Sequence, residues 1–337
     1  MNEVVLRTVY EPEFSGWNIS HDWKVVTMGS CFAEVMGRQL SEFKFDVLAN
    51  PFGTLFNPFS IAKLLKLALF NELPAMRHFI NPEEGVWLHH DLHSSIWGRT
   101  SGEIDTRIRT LGNEVRKVLA QTNLLVLTFG TAYVHRLKAS GEIIANCHKV
   151  SGSAFTKEMM SVEAVNACIK EVIGYIKILN PSVKVLLTVS PVRHTKETLP
   201  GNQLSKSILR VACSQLVTEL PGVAYFPAYE IMIDDLRDYR FYDADLIHPN
   251  GWAEDHIFSV FGKSYFAHET LKTLESWKQV KKMINHKPLH DNTESHRQML
   301  LSLKEKLMKL EGKIEVSEEL SEVDNLINNF PRLSQTQ

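Results

Sequence analysis

The 337-residue sequence predicts an α/β protein, a three-layer α/β/α sandwich with a parallel central sheet over roughly residues 20–280. The first observation is a set of short apolar runs without polar alternation, such as LLVLTF at 124–129 and VKVLLTV at 183–189. Strands that are apolar on both faces belong to sheets covered on each side. The second observation is that longer segments with helical spacing separate these runs, which is the order of repeated strand–helix–strand units.

The individual elements follow from the same two patterns. The apolar runs predict strands at 24–29, 124–129, 183–189 and 223–226. The segments with helical spacing predict helices at 33–43, 59–70, 105–120, 162–179, 203–220 and 251–261. Between Pro74 and Arg99 neither pattern holds, and the stretch is rich in His and Trp. We therefore interpret residues of about 74–100 as an insert near one edge of the sheet.

A change of composition after Pro288 predicts a C-terminal helical extension. Four leucines recur at helical spacing among charged residues, at Leu300, Leu303, Leu307 and Leu310, and Gly312 is a typical stop signal. The chain is accordingly divided into a main domain over 1–285 and the extension over 286–337. The extension either folds back on the main domain as a helical hairpin or pairs two copies of the chain into a homodimer.

Composition and charge argue against several classes of protein. The formal net charge of −2 offers no general attraction to nucleic acid or to an anionic membrane. No apolar run reaches the roughly 18 residues of a membrane span, and the N-terminus lacks the pattern of a secretory signal. The four cysteines are scattered without CxxC spacing, which favours free thiols in a reducing compartment. These features predict a cytoplasmic protein with neither a nucleic-acid nor a membrane partner.

Two short motifs predict nucleophilic catalysis when they are taken together. Gly29-Ser30 lies where the first strand ends and a helix begins, at the sheet edge where open α/β sheets bind ligands. Such a dipeptide alone is more often a simple turn and helix cap. Late in the chain, the spacing of Asp245 and His248 places both side chains on one side of a turn, so that the carboxylate can orient the imidazole. We therefore predict a triad of Ser30, Asp245 and His248.

The run Gly29-Ser30-Cys31-Phe32-Ala33 resembles the signature of the GSCFA domain, a bacterial branch of the SGNH/GDSL hydrolase superfamily. Further segments similar to the family are NPFG at 50–53, TFGTA at 128–132, NCHK at 146–149, SPVRH at 190–194, YFPAYE at 225–230 and DYRFY at 238–242. The resemblance spans roughly residues 3–260 and leaves out the tail beyond about 285. It implies a flavodoxin-like parallel sheet of the SGNH hydrolase type. It also implies an esterase, O-acetylesterase or acyltransferase that forms an acyl-serine on Ser30.

The resemblance further implies an oxyanion hole, in which the serine N–H, the Gly53 N–H and an asparagine side chain act as donors. Ala132 stands where that asparagine is expected, and its side chain has no donor. One such donor is commonly worth about 3–4 kcal/mol. Thr131, Asn57 or Asn146 are the alternatives for the missing donor, or the hole uses two donors only.

Substrate contacts are expected from Asn146, His148, Arg193 and His194. Arg193 and His194 directly follow a predicted strand, and a guanidinium group recognises anionic or hydroxyl-rich molecules through paired hydrogen bonds. A structural capping or ion-pairing role is the alternative for this pair. The expected substrate is a small-molecule or carbohydrate ester.

Two other functions stay open at this point. Ala132 favours a degenerate SGNH-fold protein that binds a ligand without turning it over. A metal-dependent phosphoesterase would rest on His89, His90, Asp91 and His93, because zinc accepts such donors. Adjacent residues rarely point at one ion, so we expect no metal and no other cofactor.

Overall fold

The computed structural model describes residues 8–72, 78–289 and 293–330, and its central feature is a five-stranded parallel sheet. The strands of the described chain are β1 (Lys24–Gly29), β2 (Asp46–Ala49), β3 (Phe79–Glu83), β4 (Val86–His89), β5 (Leu124–Phe129), β6 (Tyr133–Leu137), β7 (Ile143–Ile144), β8 (Phe155–Met159), β9 (Lys184–Val189) and β10 (Val223–Phe226). The central sheet has the order β10-β9-β5-β1-β2, and every neighbouring pair is parallel. This order is that of flavodoxin-like folds, as expected.

Helices cover both faces of this sheet and confirm the three-layer architecture. They are α1 (Cys31–Glu42), α2 (Pro58–Phe70), α3 (Ser101–Leu119), α4 (Val162–Leu179), α5 (Thr198–Glu219), α6 (Ala228–Glu230), α7 (Gly251–Tyr265), α8 (His268–Ile284), α9 (Glu294–Met308) and α10 (Ser317–Asn328). The central strand β5 sends Leu125 and Leu127 into the core formed with α2 to α5. Its alternate residues Leu124 and Val126 enter the core formed with α1 and α7. Alternation of side chains along a doubly covered strand explains why its sequence is apolar throughout.

Two small antiparallel sheets lie outside the central one. Strands β3 and β4 pair as a hairpin within the predicted insert, of which residues 74–77 lie outside the described residues. Strands β6, β7 and β8 form a three-stranded sheet between β5 and α4, which the sequence patterns did not predict.

The C-terminal extension folds back as a helical hairpin on α8. The four leucines of the predicted stripe are buried, and three of them, Leu303, Leu307 and Leu310, form a cluster with Trp277 and Val323. An ion pair of 2.6 Å between Lys44 Nζ and Glu319 Oε1 joins the hairpin to the loop after α1. The homodimer remains a prediction. None of the helices in the described part of the chain is both long and apolar enough to cross a membrane.

Candidate active site

Ser30 lies at the carboxyl edge of the sheet, between the end of β1 and the start of α1. Its Oγ accepts a hydrogen bond from Phe32 N–H (3.3 Å), so the side chain caps the helix. Its own N–H donates to Thr128 O on the neighbouring strand β5 (3.0 Å). The connection after β1 leads to β2 on one side of the sheet, whereas the connection after β5 leads towards β9 on the other side. In α/β folds, a crevice that binds ligands opens where neighbouring connections diverge in this way. The structure thus places Ser30 at this edge of the sheet, with its side chain buried at 1% exposure.

The Asp245–His248 turn is held together by three hydrogen bonds to one carboxylate. Asp245 Oδ1 accepts from the N–H groups of Ile247 (2.8 Å) and His248 (3.0 Å), and Asp245 Oδ2 lies 2.6 Å from His248 Nδ1. The bonds from the His248 N–H, the His248 ring and the Ile247 N–H lower the pKa of Asp245 to about 2. The carboxylate is therefore ionised at neutral pH and favours the tautomer with hydrogen on Nδ1, which leaves Nε2 free to accept a proton. Ser30 and His248, both within the described ranges, make no hydrogen bond to each other.

Arg193 lies against this turn. Its backbone N–H donates to Ile247 O (3.2 Å), and its guanidinium donates to Leu246 O. The guanidinium carbon is 4.4 Å from the centre of the Tyr242 ring and 5.4 Å from that of Tyr239. Because Arg193 follows the carboxyl end of β9, these contacts attach the Asp245–His248 turn to the same sheet edge that carries Ser30. A cleft of about 520 Å³ beside Arg193 is lined in part by both tyrosines.

The residues predicted as oxyanion donors all take part in local hydrogen bonds. The Gly53 N–H donates to Asn50 O (2.7 Å) in a tight turn. The Asn57 Oδ1 accepts from the Ser60 N–H and caps α2. The Thr131 Oγ1 is 3.0 Å from Ser205 Oγ and accepts from the Tyr133 N–H. Ala132 is fully buried in the core. The N–H groups of Gly53 and Ser30 are therefore both directed at backbone carbonyls.

Asn146 and His148 are attached to the insert. The backbone of Asn146 donates to His90 O (2.8 Å), and its carbonyl lies 2.7 Å from His90 Nδ1. The His148 Nε2 lies 2.9 Å from His89 O. These bonds hold the 146–149 segment against β4, and a role in substrate binding stays a prediction for both residues.

A buried cluster of charged and imidazole groups anchors the insert. Ligand-type atoms of His78, His89 and Asp91 lie within 4.8 Å of one another. Asp91 Oδ2 is 2.9 Å from His78 Nδ1 and 2.7 Å from Lys63 Nζ, while His78 Nε2 is 2.7 Å from Glu142 Oε2. Lys63 and His78 thus both contact Asp91 Oδ2, while the buried Oδ1 has no hydrogen-bond partner among the described residues. We interpret the cluster as an ion-pair network. The sequence pattern had drawn attention to the adjacent histidines but had not included His78, which lies before β3.

We expect Asp91→Ala to lower the free energy of unfolding by about 3 kcal/mol, because it leaves Lys63 and His78 without their shared partner. Burial alone would raise the pKa of Asp91, but the His78 hydrogen bond and the Lys63 charge outweigh burial and hold it below its usual value. Folding thus lowers this pKa, so the stabilisation is present above about pH 4 and is lost as the pH falls below it.

Urea unfolding of Asp91→Ala measures this loss, and Glu114→Ala at an exposed position of α3 serves as the matched control with a change below about 0.5 kcal/mol. An excess of chelator should leave the unfolding curve of the wild-type protein unchanged. A curve that shifts with chelator, together with stoichiometric metal in the purified protein, would identify a metal site instead.

Lys206 is a further group at this sheet edge that the sequence patterns did not reveal. Its side chain is almost fully buried in α5, and Nζ donates to Gly130 O (2.8 Å) and Ser190 O (2.7 Å). Burial lowers the pKa of Lys206 to about 7. The sequence feature that could have indicated its burial is its position three residues before Leu209, on the buried face of α5.

Comparison with known proteins gives two family matches. The model of the GSCFA family matches residues 24–261, and a model described as the C-terminal domain of GSCFA domain proteins matches residues 277–329. The second match includes the helical tail, which the motif resemblance had wrongly left out. No curated protein matches the chain.

Solved structures of two carbohydrate esterases resemble part of the chain. A carbohydrate esterase family 3 from Talaromyces cellulolyticus shares 10% identity and aligns over 75% of this chain and 98% of its own, with a TM-score of 0.36. A family 3 carbohydrate esterase from Clostridium thermocellum shares 11% identity over the same fractions, with a TM-score of 0.33.

Proposed function

This chain belongs to the GSCFA family, and we propose that it is a serine-dependent ester hydrolase in which Ser30 forms an acyl-enzyme intermediate. The observation that carries the proposal is the turn in which Asp245 Oδ2 and His248 Nδ1 lie 2.6 Å apart. Arg193 attaches this turn to the edge of the sheet at which Ser30 begins α1. The proposed nucleophile, the proposed base and the group proposed to orient it thus belong to one edge of the sheet, which supports acyl transfer to serine.

The proposed reaction has two steps. In the first, His248 Nε2 takes the Ser30 proton while Oγ bonds to the carbonyl carbon of the ester, and His248 then returns the proton to the departing alcohol. In the second, His248 takes a proton from water as the water oxygen bonds to the acyl carbon. The bond from that carbon to Ser30 Oγ then breaks, His248 returns the proton to Oγ, and the carboxylic acid leaves. Asp245 stays ionised throughout, since its low pKa keeps it a carboxylate, and it stabilises the imidazolium that forms in each step. Catalytic hydrogen bonds are often formed only when substrate is bound, which accommodates the absence of a Ser30–His248 bond here.

The cleft beside Arg193 is the proposed site for the alcohol part of the substrate. Tyrosine rings and a guanidinium group suit a polar, hydroxyl-rich molecule, because the rings offer a flat apolar surface and the guanidinium offers several donors. A small-molecule or carbohydrate ester fits this description.

Labelling with a fluorophosphonate probe tests the proposal. We expect stoichiometric modification of the folded protein, with the label on the peptide that contains Ser30 when the digest is analysed by mass spectrometry. Protein unfolded by heat serves as the control and should stay unlabelled, because the serine is then no more reactive than any other. Label on a different residue would refute the assignment, and a folded protein without any label would favour the ligand-binding alternative.

A further inference from the structure

His194 carries a buried nitrogen that the reaction described above does not use. Its Nε2 is shielded from solvent and has no hydrogen-bond partner among the described residues. The residue is fixed in place, because its backbone N–H donates to Asn202 Oδ1 (2.9 Å) and its ring packs edge-on against Phe56. A buried donor or acceptor without a partner costs about 1–3 kcal/mol, so its presence in a folded protein calls for an explanation.

Gly130 shows where this nitrogen lies relative to Ser30. A Cβ placed on Gly130 would be 3.1 Å from His194 Nε2 and 3.3 Å from Ser30 Cβ. His194 Nε2 and Ser30 Cβ therefore both lie close to the same point, just after the end of β5. The oxygen of an ester carbonyl attacked by Ser30 Oγ is only two bonds away from Oγ, which brings it within reach of this neighbourhood.

The surroundings of His194 suit it as a neutral donor. Burial and the nearby charges of Lys206 and His248 lower the pKa of His194 to about 3. The ring is then neutral at pH 7 and carries a single N–H. A neutral ring can donate a hydrogen bond to a negative oxygen and still keep its proton.

The two backbone donors implied by the family resemblance are occupied. The N–H groups of Ser30 and Gly53 donate to the backbone carbonyls of Thr128 and Asn50. Ala132, at the expected asparagine position, has no side-chain donor. These three positions therefore offer no free donor to a tetrahedral intermediate at Ser30.

We propose that His194 is a catalytic residue whose Nε2–H donates a hydrogen bond to the oxyanion of the tetrahedral intermediate formed at Ser30. The inference rests on the proposed serine chemistry. As Ser30 Oγ bonds to the carbonyl carbon, the carbonyl π electrons move to the oxygen and the serine proton moves to His248. His194 keeps its proton and stabilises the negative oxygen by hydrogen bonding alone.

The test compares His194→Phe, which keeps a ring but has no donor, with His194→Gln, which keeps an N–H donor. With p-nitrophenyl acetate as substrate, we expect His194→Phe to lower kcat about 10²- to 10³-fold with KM nearly unchanged. His194→Gln should recover at least about tenfold of that loss. The pH dependence of the residual activity should keep its wild-type form, because the base is still present. His21→Phe is the matched control, since His21 stacks on Phe45 in the opposite core and should leave kcat unchanged.

Three results would overturn this role. Activity of His194→Phe within about threefold of wild type would remove the need for the donor. Equal losses in the Phe and Gln variants at unchanged folding would indicate a purely structural position. A pH profile that loses its rising limb would make His194 the base. Should His194→Phe not fold, His194→Met replaces it as the variant without a donor.

Labelling of Ser30 by fluorophosphonate in the wild-type protein separates the two proposals. A labelled Ser30 with an unaffected His194→Phe variant refutes the oxyanion role alone. An unlabelled Ser30 refutes the serine chemistry on which this role depends.

Discussion

Ser30→Ala is expected to reduce kcat/KM for an aryl ester by roughly 10⁴- to 10⁶-fold, because the substitution removes the atom that becomes acylated. The same variant should no longer be labelled by fluorophosphonate. Stability should fall by only about 1 kcal/mol, since the one described hydrogen bond of the Ser30 side chain is the helix cap from Phe32 N–H. Steady-state kinetics and urea unfolding on the same preparation measure both effects.

Ser161→Ala provides the matched control for the lost cap. Ser161 Oγ accepts from Ala164 N–H (3.2 Å) at the start of α4, so this variant loses the same kind of bond. It should lose a similar amount of stability and retain wild-type kinetics. Retention of more than a few per cent of activity by Ser30→Ala would contradict the assignment of the nucleophile.

Variants of His248 and Asp245, the two proposed partners of Ser30, should also lose activity. His248→Ala is expected to be nearly as inactive as Ser30→Ala, whereas Asp245→Ala should lose less, because an imperfectly oriented imidazole still accepts a proton. The double variant Ser30→Ala/His248→Ala should be no worse than either single variant, since residues that act as a unit are not additive.

The central strands were predictable because their environment is uniform. The predicted bounds of the central strands β1 and β5 agree with the structure, and so do those of α4 and of β10 at one edge of the sheet. Each of these strands is covered on both faces, so an uninterrupted apolar run is the only pattern that fits. By contrast, β2 has four residues and lies at the edge of the sheet, half exposed, where a short run such as DVLA carries little signal.

The antiparallel sheet of β6, β7 and β8 was missed for a related reason. Its strands read YVHRL, II and FTKEM, with charged residues on the exposed face and few apolar ones to mark a period. The pairing of β6 with β8 joins residues 18 to 26 positions apart, as for Val134 with Glu158. Short amphipathic strands of this kind are defined by their partners rather than by their own composition.

Sequence distance also separates the parts of the site that were predictable from those that were not. The Asp245–His248 bond joins residues three apart, so the spacing alone indicates that the side chains meet. The position of His194 beside Ser30 depends instead on the ends of β1, β5 and β9 coming together in the sheet. No local sequence pattern indicates that these strand ends come together. The lowered pKa of His194 depends in addition on burial and on Lys206, which lies in α5.

The prediction with the largest expected effect on folding concerns Gly29, the residue before the proposed nucleophile. Its φ of +143° lies in a region that side chains rarely adopt. A Cβ at this position would be 2.1 Å from Thr128 O, an atom of the neighbouring strand that cannot move without opening the central sheet. We expect Gly29→Ala to lower the free energy of unfolding by about 3–5 kcal/mol, from backbone strain and from the forced separation of β1 and β5.

Gly174→Ala is the matched control, because Gly174 lies within α4 and a Cβ there meets nothing within 4 Å. That variant should gain up to about 1 kcal/mol, as alanine is favoured over glycine in a helix. Urea unfolding of both variants gives the comparison, and fluorophosphonate labelling of any folded Gly29→Ala protein adds a second measurement. The Thr128 O that the new methyl group meets also accepts the Ser30 N–H, so the folded fraction should be labelled far more slowly than wild type. A Gly29→Ala protein with wild-type stability and labelling rate would contradict the close approach of β1 and β5 on which the position of Ser30 depends.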